Sequence, residues 1–239
     1  MSLSVRDHNK QKSPQMFDRI APTYDLVNRL LSFRLDISWR RKVGSLLPIK
    51  DRLKLLDLAT GTGDLVIDLC NSFPDRIEIA FGVDLSEHML QIGRKKVEKK
   101  GLKQKIQMQV GDAMALSMED QTFDTVTISF GIRNMPDVPR TLREIYRVLK
   151  PAGKALILEF SIPFNPAVRL GHLFYLRHIL PLVGGLFSGD YDAYRYLNTT
   201  IEDFPYDEDF KQLMIEAGFL KVKAHSLNFG IATLYEGMR

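Results

Sequence analysis

The sequence predicts an α/β chain built on a doubly wound, mostly parallel sheet, and three observations carry that prediction. Five apolar runs have strand character, segments of helical period separate them, and the first run ends in a glycine-rich turn that opens a helix. Strands that alternate with helices form βαβ units, whose crossovers cover both faces of the sheet.

In chain order, residues 14–47 read as a helical preamble, FDRIAPTYDLVNRLLSF followed by ISWRRKVGSLL. Its Phe17, Tyr24, Leu31, Phe33 and Trp39 carry too much apolar surface for a free tail, so they are expected to pack on the sheet. The first strand is LKLLDLA (53–59) and the helix DLVIDLCNSF (64–73) follows its turn. IEIAFGVD (77–84) is the second strand, and Ser86 stands where it can N-cap the helix SEHMLQIGRKKVEKKG (86–101). KIQMQVGDA (105–113) and FDTVTISFG (123–131) are the third and fourth strands. The helix VPRTLREIYRVLK (138–150) is expected to stop at Pro151 and Gly153, before the fifth strand KALILEFS (154–161). Residues 163–200 break the rhythm and read as helical pieces, and the C-terminal segment gives one more helix and strands at 219–226 and 229–237.

A chain of 239 residues with 45% apolar composition is long enough for one ample core, so 1–239 is read as a single domain. The net charge is +4 and the pI near 9.1, yet the densest basic run, RKKVEKK (94–100), has helical spacing and contains Glu98. It reads as a solvated helix face, or as a mild attraction for anionic lipid; with no interleaved aromatic residues it does not suit nucleic acid. Cys70 is the single cysteine, which excludes an intrachain disulfide and a cysteine-based metal site and fits a reducing compartment. His172 and His178 lie six apart and do not share a helix face; they read as surface or packing residues, and no metal site is expected. The N-terminal residues lack the apolar core of a signal peptide, and no uncharged apolar stretch approaches the ~18 residues of a membrane span, so a cytoplasmic location is expected.

The stretch LKLLDLATGTGDL (53–65) delivers a ligand at the carboxyl ends of the strands. Gly61 and Gly63 are followed by Val66 where a dinucleotide fingerprint needs a third glycine, and Asp64 stands where a P-loop needs a lysine. Acids on both sides, Asp57 and Asp64, suit a cationic ligand such as S-adenosylmethionine (SAM) better than a phosphate. Asp84 closes the second strand, where a carboxylate can accept ribose hydroxyls; Asp112 and Ala113 follow the third, where the adenine amino group would lie. Each aspartate has a bland alternative, capping the next helix or turn. A nicotinamide enzyme would also use an acid at Asp84.

The motif from Asp57 to Gly63, with the acids that follow it, resembles the class I SAM-dependent methyltransferases. YDLVNRLLSFRLDISW (24–39) and RVLKPAGKALILEFS (147–161) are similar to the two signatures of the UbiE/MenG family of quinone-biosynthesis C-methyltransferases, with TISFGIRNMPD (127–137) and DAYRYLNTTIEDFP (192–205) as further family-like segments. Val27, Asp36, Ala152 and the pair Thr60-Gly61 depart from the family's usual Met, His, Gly and Gly-Gly. The resemblance implies a Rossmann-like seven-stranded sheet ordered 3-2-1-4-5-7-6, strand 7 antiparallel, with N-terminal helices and a helical insertion after strand 5.

It also implies SAM as cofactor and C-methylation of a polyprenylated quinol, foremost demethylmenaquinol, with a methoxy-benzoquinol of the ubiquinone path or another lipid-like acceptor as alternatives. Family cofactor contacts carry over onto Thr62, Asp84, Asp112, Ala113 and Ser129, beside Asp57, Gly61 and Gly63 of the turn. Arg133 and Asn134, after the fourth strand, and Tyr24 are the candidate catalytic residues: Arg133 would stabilise a phenolate and Asn134 would orient a hydroxyl or a water. The bland alternative for Arg133 is a salt bridge to Asp137; Glu159 is a base or a structural partner. The apolar LFYLRHILPLVGGLF (173–187) is then either a packed cap or a lid that takes an isoprenoid tail or dips into the membrane interface, with Tyr24, Asp25 and Trp39 closing the other side. Contact with the inner membrane face and a homodimer both fit this reading.

Overall fold

In the computed structural model, which describes residues 13–239, a seven-stranded sheet runs in the order β3-β2-β1-β4-β5-β7-β6. The strands are β1 (Leu53–Leu58), β2 (Ile77–Asp84), β3 (Ile106–Val110), β4 (Phe123–Ser129), β5 (Leu149–Phe160), β6 (Leu220–Leu227) and β7 (Ala232–Met238). The first five are parallel, and β7 runs antiparallel to both β5 and β6. β1 pairs with β2 on one side and β4 on the other, so the chain reverses its winding there and the strand ends splay into a crevice.

The period-2 pattern of β1 explains the two layers. Leu55 is buried with one face, against α2 (Leu35–Ser45) and α3 (Asp64–Ser72); Leu56 is buried with the other, against α5 (Val138–Val148) and α9 (Glu208–Glu216). In α5 the positions Val138, Leu142, Ile145 and Val148 form one buried stripe, each stabilising the packing by about 1.5–3 kcal/mol. Ser86 caps α4 (Glu87–Lys99) as expected, its hydroxyl accepting from the Met89 N–H. Cys70 is fully buried, and its thiol is pushed up to about 12 by that burial.

Three expectations need correction. The helix before β5 ends at Val148, not Lys150, because Leu149 already pairs with Phe123; β5 then passes through Pro151 with a register shift and a left-handed Ala152 (φ +61°). Phe33 does not pack on the sheet; it is 73% exposed, whereas Trp39 and Val27 of the same preamble are buried. The insertion is not a set of broken pieces at its start. α6 (Pro166–Phe174), a π turn (Tyr175–Ile179) and α7 (Leu180–Ser188) form one 23-residue helical run, long and apolar enough by composition to cross a membrane. It nonetheless packs on α1 (Ser13–Leu31) and α8 (Tyr191–Asp203) through a third core of its own, with Met16, Val27, Leu176, Leu180 and Ile201.

Candidate active site

Two cavities lie side by side over the carboxyl ends of β1, β2 and β4. The smaller, about 230 Å³, is walled by Gly61, Asp84, Gly111, Ala113, Ser129 and Asn134; the larger, about 410 Å³, lies between that crevice, α1 and the insertion. They meet at Phe17, Tyr24, Ala59, Gly61, Ser129 and Phe130, which line both.

The strand-end turns are backbone-strained in the way a ligand cradle requires. Ala59 after β1 and Phe130 after β4 both take left-handed φ, +48° and +56°, at a cost of order 1–3 kcal/mol each. Between them Gly131 is obligatory, since a Cβ there would stand 2.5 Å from the Cβ of Ala59. Gly61 (φ +55°) is open on its outer side, with nothing within 4 Å of a built Cβ, so a ligand can approach its backbone.

Asp84 is the best-built of the expected cofactor contacts. Its two oxygens accept from the Gly61 N–H (2.8 Å) and the Ser86 N–H (2.9 Å), which fixes the carboxylate at the wall of the smaller cavity with lone pairs left over for a diol. Burial pushes its pKa up, with those two N–H bonds opposing. Asn134 adds a buried Oδ1 that has no partner among the described residues and can accept a hydrogen bond at the same cavity. A carboxylate with lone pairs to spare, an acceptor amide and a glycine cradle fit SAM. They offer no cluster of phosphate-binding cations, and no group that could hold a metal occurs among the described residues.

Asp57, Gly63 and Asp112 are not among the lining residues of either cavity. Asp57 is 2% exposed beneath the turn; its oxygens accept the hydroxyls of Thr60 and Thr127, each at 2.6 Å, and burial pushes it up to about 7. Gly63 (φ +79°) starts α3, and Asp112 closes a turn by accepting from the Met114 N–H at 2.8 Å, which is the bland alternative stated for it. Thr62 lines the larger cavity, but its hydroxyl donates to Asp25 (2.6 Å) and accepts from Lys96 (2.9 Å). Lys96 also pairs with Asp25 and Asp64, so the basic run 94–100 is not merely a solvated face. Nothing in its spacing distinguishes Lys96 from its neighbours.

Arg133 and Tyr24 both face the larger cavity. Arg133 is 2% exposed and pairs with the fully buried Glu159 at 2.5 Å, not with Asp137, which caps α5 instead. Its Nη1 also donates to the Phe130 carbonyl, while its buried Nε has no partner among the described residues. The partly buried Tyr24 has its hydroxyl pushed up in pKa by burial, with the Arg133 charge opposing. Asp25 and Trp39 line the same cavity, as expected of the preamble, and Asp36 is held there by Arg40 (2.9 Å) and the Ser32 hydroxyl (2.8 Å). His172, read from sequence as a packing or surface residue, is buried against this cavity, and its Nε2 has no partner among the described residues.

The sheet order is that of the class I SAM-dependent methyltransferases. Solved structures with this fold include a SAM-dependent methyltransferase from Thermotoga maritima (TM-score 0.65, 21% identity, 94% of this chain and 98% of that one) and a putative methyltransferase complexed with Haloferax volcanii Trm112 (0.67, 18%, 93% and 96%). The chain belongs to the ubiE/COQ5 methyltransferase family, whose model matches residues 5–239. It is 45% identical to a demethylmenaquinone methyltransferase of Thermus thermophilus over 94% of this chain and 100% of that one. It is 43% identical to the ubiquinone/menaquinone biosynthesis C-methyltransferase UbiE of Geotalea uraniireducens (95% and 96%). The chain is therefore a SAM-dependent C-methyltransferase, and the nicotinamide alternative falls.

Proposed function

We propose that the chain methylates a ring carbon of a polyprenylated quinol, demethylmenaquinol in the first instance, using SAM. The observation that carries this reading is the meeting of the two cavities at Tyr24, Ala59 and Phe130, one suited to SAM and the other largely apolar with Arg133 in its wall. A volume of about 410 Å³ takes a ring and the first part of a tail.

SAM supplies an electrophilic methyl carbon. The chain's task is to make a ring carbon nucleophilic, aim it and keep water away. Arg133, with its Nη1 held by Glu159 and its Nε free, stabilises a phenolate on the acceptor. Asn134 orients a hydroxyl or a water, Tyr24 stands between the two cavities, and Asp84, Gly61, Ala113 and Ser129 hold the donor.

A long tail must leave the cavity, and the α6–α7 run supports a route. Its inner residues, Leu176 and Leu180, line the cavity, while Leu170, Phe174, Leu182, Leu186 and Phe187 of the same run are exposed. We assign that face to contact with a lipid surface, peripheral and on the cytoplasmic side, where the tail already resides. The test is incubation with SAM and short-tail demethylmenaquinol or methoxy-benzoquinol, with the products read by mass spectrometry. Ring-methylated menaquinol is expected, and SAM binding without methylation of any quinol would refute the substrate assignment.

A further inference from the structure

The cavity wall carries two buried polar atoms whose needs are complementary. Arg133 Nε is a donor and His172 Nε2 a nitrogen that accepts in the Nδ1–H tautomer; each is buried without a partner among the described residues, and both residues line the larger cavity. A phenolic hydroxyl offers what each lacks, an acceptor for Arg133 and a donor for His172.

We infer that His172 is a catalytic base of this site, taking the proton of the quinol hydroxyl next to the carbon that is methylated. This rests on the quinol reading above. The other titratable groups of the cavity cannot serve. Arg133 and Arg40 are permanently protonated and paired with Glu159 and with Asp36. The cavity's carboxylates are already committed to cations, Asp25 and Asp64 to Lys96 and Asp36 to Arg40. The phenols of Tyr24, Tyr175 and Tyr194 are pushed up by burial, so they hold their protons.

On the same helical run, Arg177 is paired with Glu202, and no charged neighbour shifts His172; burial alone lowers its pKa and keeps the imidazole neutral near pH 7. As the phenolic O–H breaks, its electron pair stays on oxygen and delocalises to the adjacent ring carbon, while an N–H forms at Nε2. The ring carbon bonds the methyl group as its S–C bond breaks and S-adenosylhomocysteine leaves with that electron pair; the ring then loses its C–H proton to solvent and regains aromaticity. The oxygen then recovers its proton from the imidazolium, so His172 ends as it began.

The test uses the full chain with SAM and a short-tail demethylmenaquinol, comparing wild type with His172→Gln and His172→Phe. Loss of a positioned base lowers turnover by ~10²–10⁴-fold. The expected result is a fall of at least about 100-fold in kcat for both variants, with SAM affinity by calorimetry and thermal midpoint unchanged. The wild-type acid limb of kcat, governed by one ionisation below the ordinary imidazole value, disappears in the variants. In 1H–13C spectra the imidazole signal that is missing from His172→Gln shifts when quinol and S-adenosylhomocysteine are added to wild type. Variants within threefold of wild type in kcat, or retaining the acid limb, overturn the role while leaving the substrate reading intact. A fall in kcat matched by lost SAM affinity or a lowered midpoint shows packing only and also overturns it. A wild-type chain that methylates no quinol overturns both.

Discussion

Asp57→Asn tests the electrostatics of the strand-end turn directly. Asp57 is 2% exposed, and burial outweighs the two threonine hydroxyls bonded to it, so its pKa rises from an ordinary 3.8 to about 7. The shift is about 3 units, and each unit is about 1.4 kcal/mol of preference for the protonated form. The folded chain therefore keeps a proton that the unfolded chain releases. Between about pH 4 and pH 7 the unfolded state binds fewer protons, so this group makes stability fall as pH rises and flatten above pH 7.

The total penalty at pH 8 is of order 4 kcal/mol. Asparagine cannot ionise, yet it can bond both threonine hydroxyls, so it removes the penalty without emptying the site. Urea unfolding of both proteins at pH 4.5, 5.5, 6.5 and 7.5 isolates the term, because groups uncoupled to Asp57 cancel in the difference. The stability of Asp57→Asn relative to wild type should climb across that range by roughly 1 kcal/mol per pH unit. A difference that does not change with pH would mean that Asp57 is ionised in the folded chain throughout, and the account of its burial would be wrong.

Glu159→Gln leaves Arg133 buried without its counter-charge, which should cost about 3–5 kcal/mol in denaturant unfolding and lower kcat as Arg133 shifts. Gly131→Ala must push apart the turns after β1 and β4, since its Cβ would stand 2.5 Å from that of Ala59; SAM affinity by calorimetry should drop by about tenfold or more, roughly 1.4 kcal/mol. The double change Leu182→Ser with Leu186→Ser alters exposed residues that line neither cavity. It should abolish sedimentation with anionic lipid vesicles while leaving turnover of a short-tail quinol within twofold. Unchanged vesicle binding would remove that face from the membrane reading.

The sheet was legible because its signal is local. Each core strand is a short apolar run, the crossovers through α3, α4 and α5 are 3.6-period stripes, and Ser86 caps its helix through a contact three residues long. Errors arose where tertiary pairing overrides a local stop signal. Pro151 and Gly153 read as a helix terminator, but pairing of Leu149 with Phe123 had already drawn the chain into the sheet. The insertion read as fragments, yet Pro181 lies inside the 23-residue run, directly after the π turn of Tyr175–Ile179, where the regular i→i−4 ladder is already interrupted.

The site was legible only where the strand ends bring residues together by the fold's own geometry. Gly61, Asp84, Ala113 and Ser129 each follow from the position of a strand terminus, so a sequence with a recognisable strand order places them near one another. His172, Lys96 and the Arg133–Glu159 pair do not. Glu159 lies 26 residues from Arg133, and they meet because β4 and β5 are neighbours whose carboxyl ends lie side by side. Lys96 reaches Thr62 across 34 residues only because α1 presses Asp25 onto the same turn. His172 is six residues from a second histidine on a helix whose two faces are both apolar, so periodicity carries no information about which one points inward. What identifies it is the absence of a hydrogen-bond partner in a buried place, and burial is a property of the packed chain. Residues on the insertion belong to this second kind, since it is held by contacts that differ from the register of the sheet beneath it.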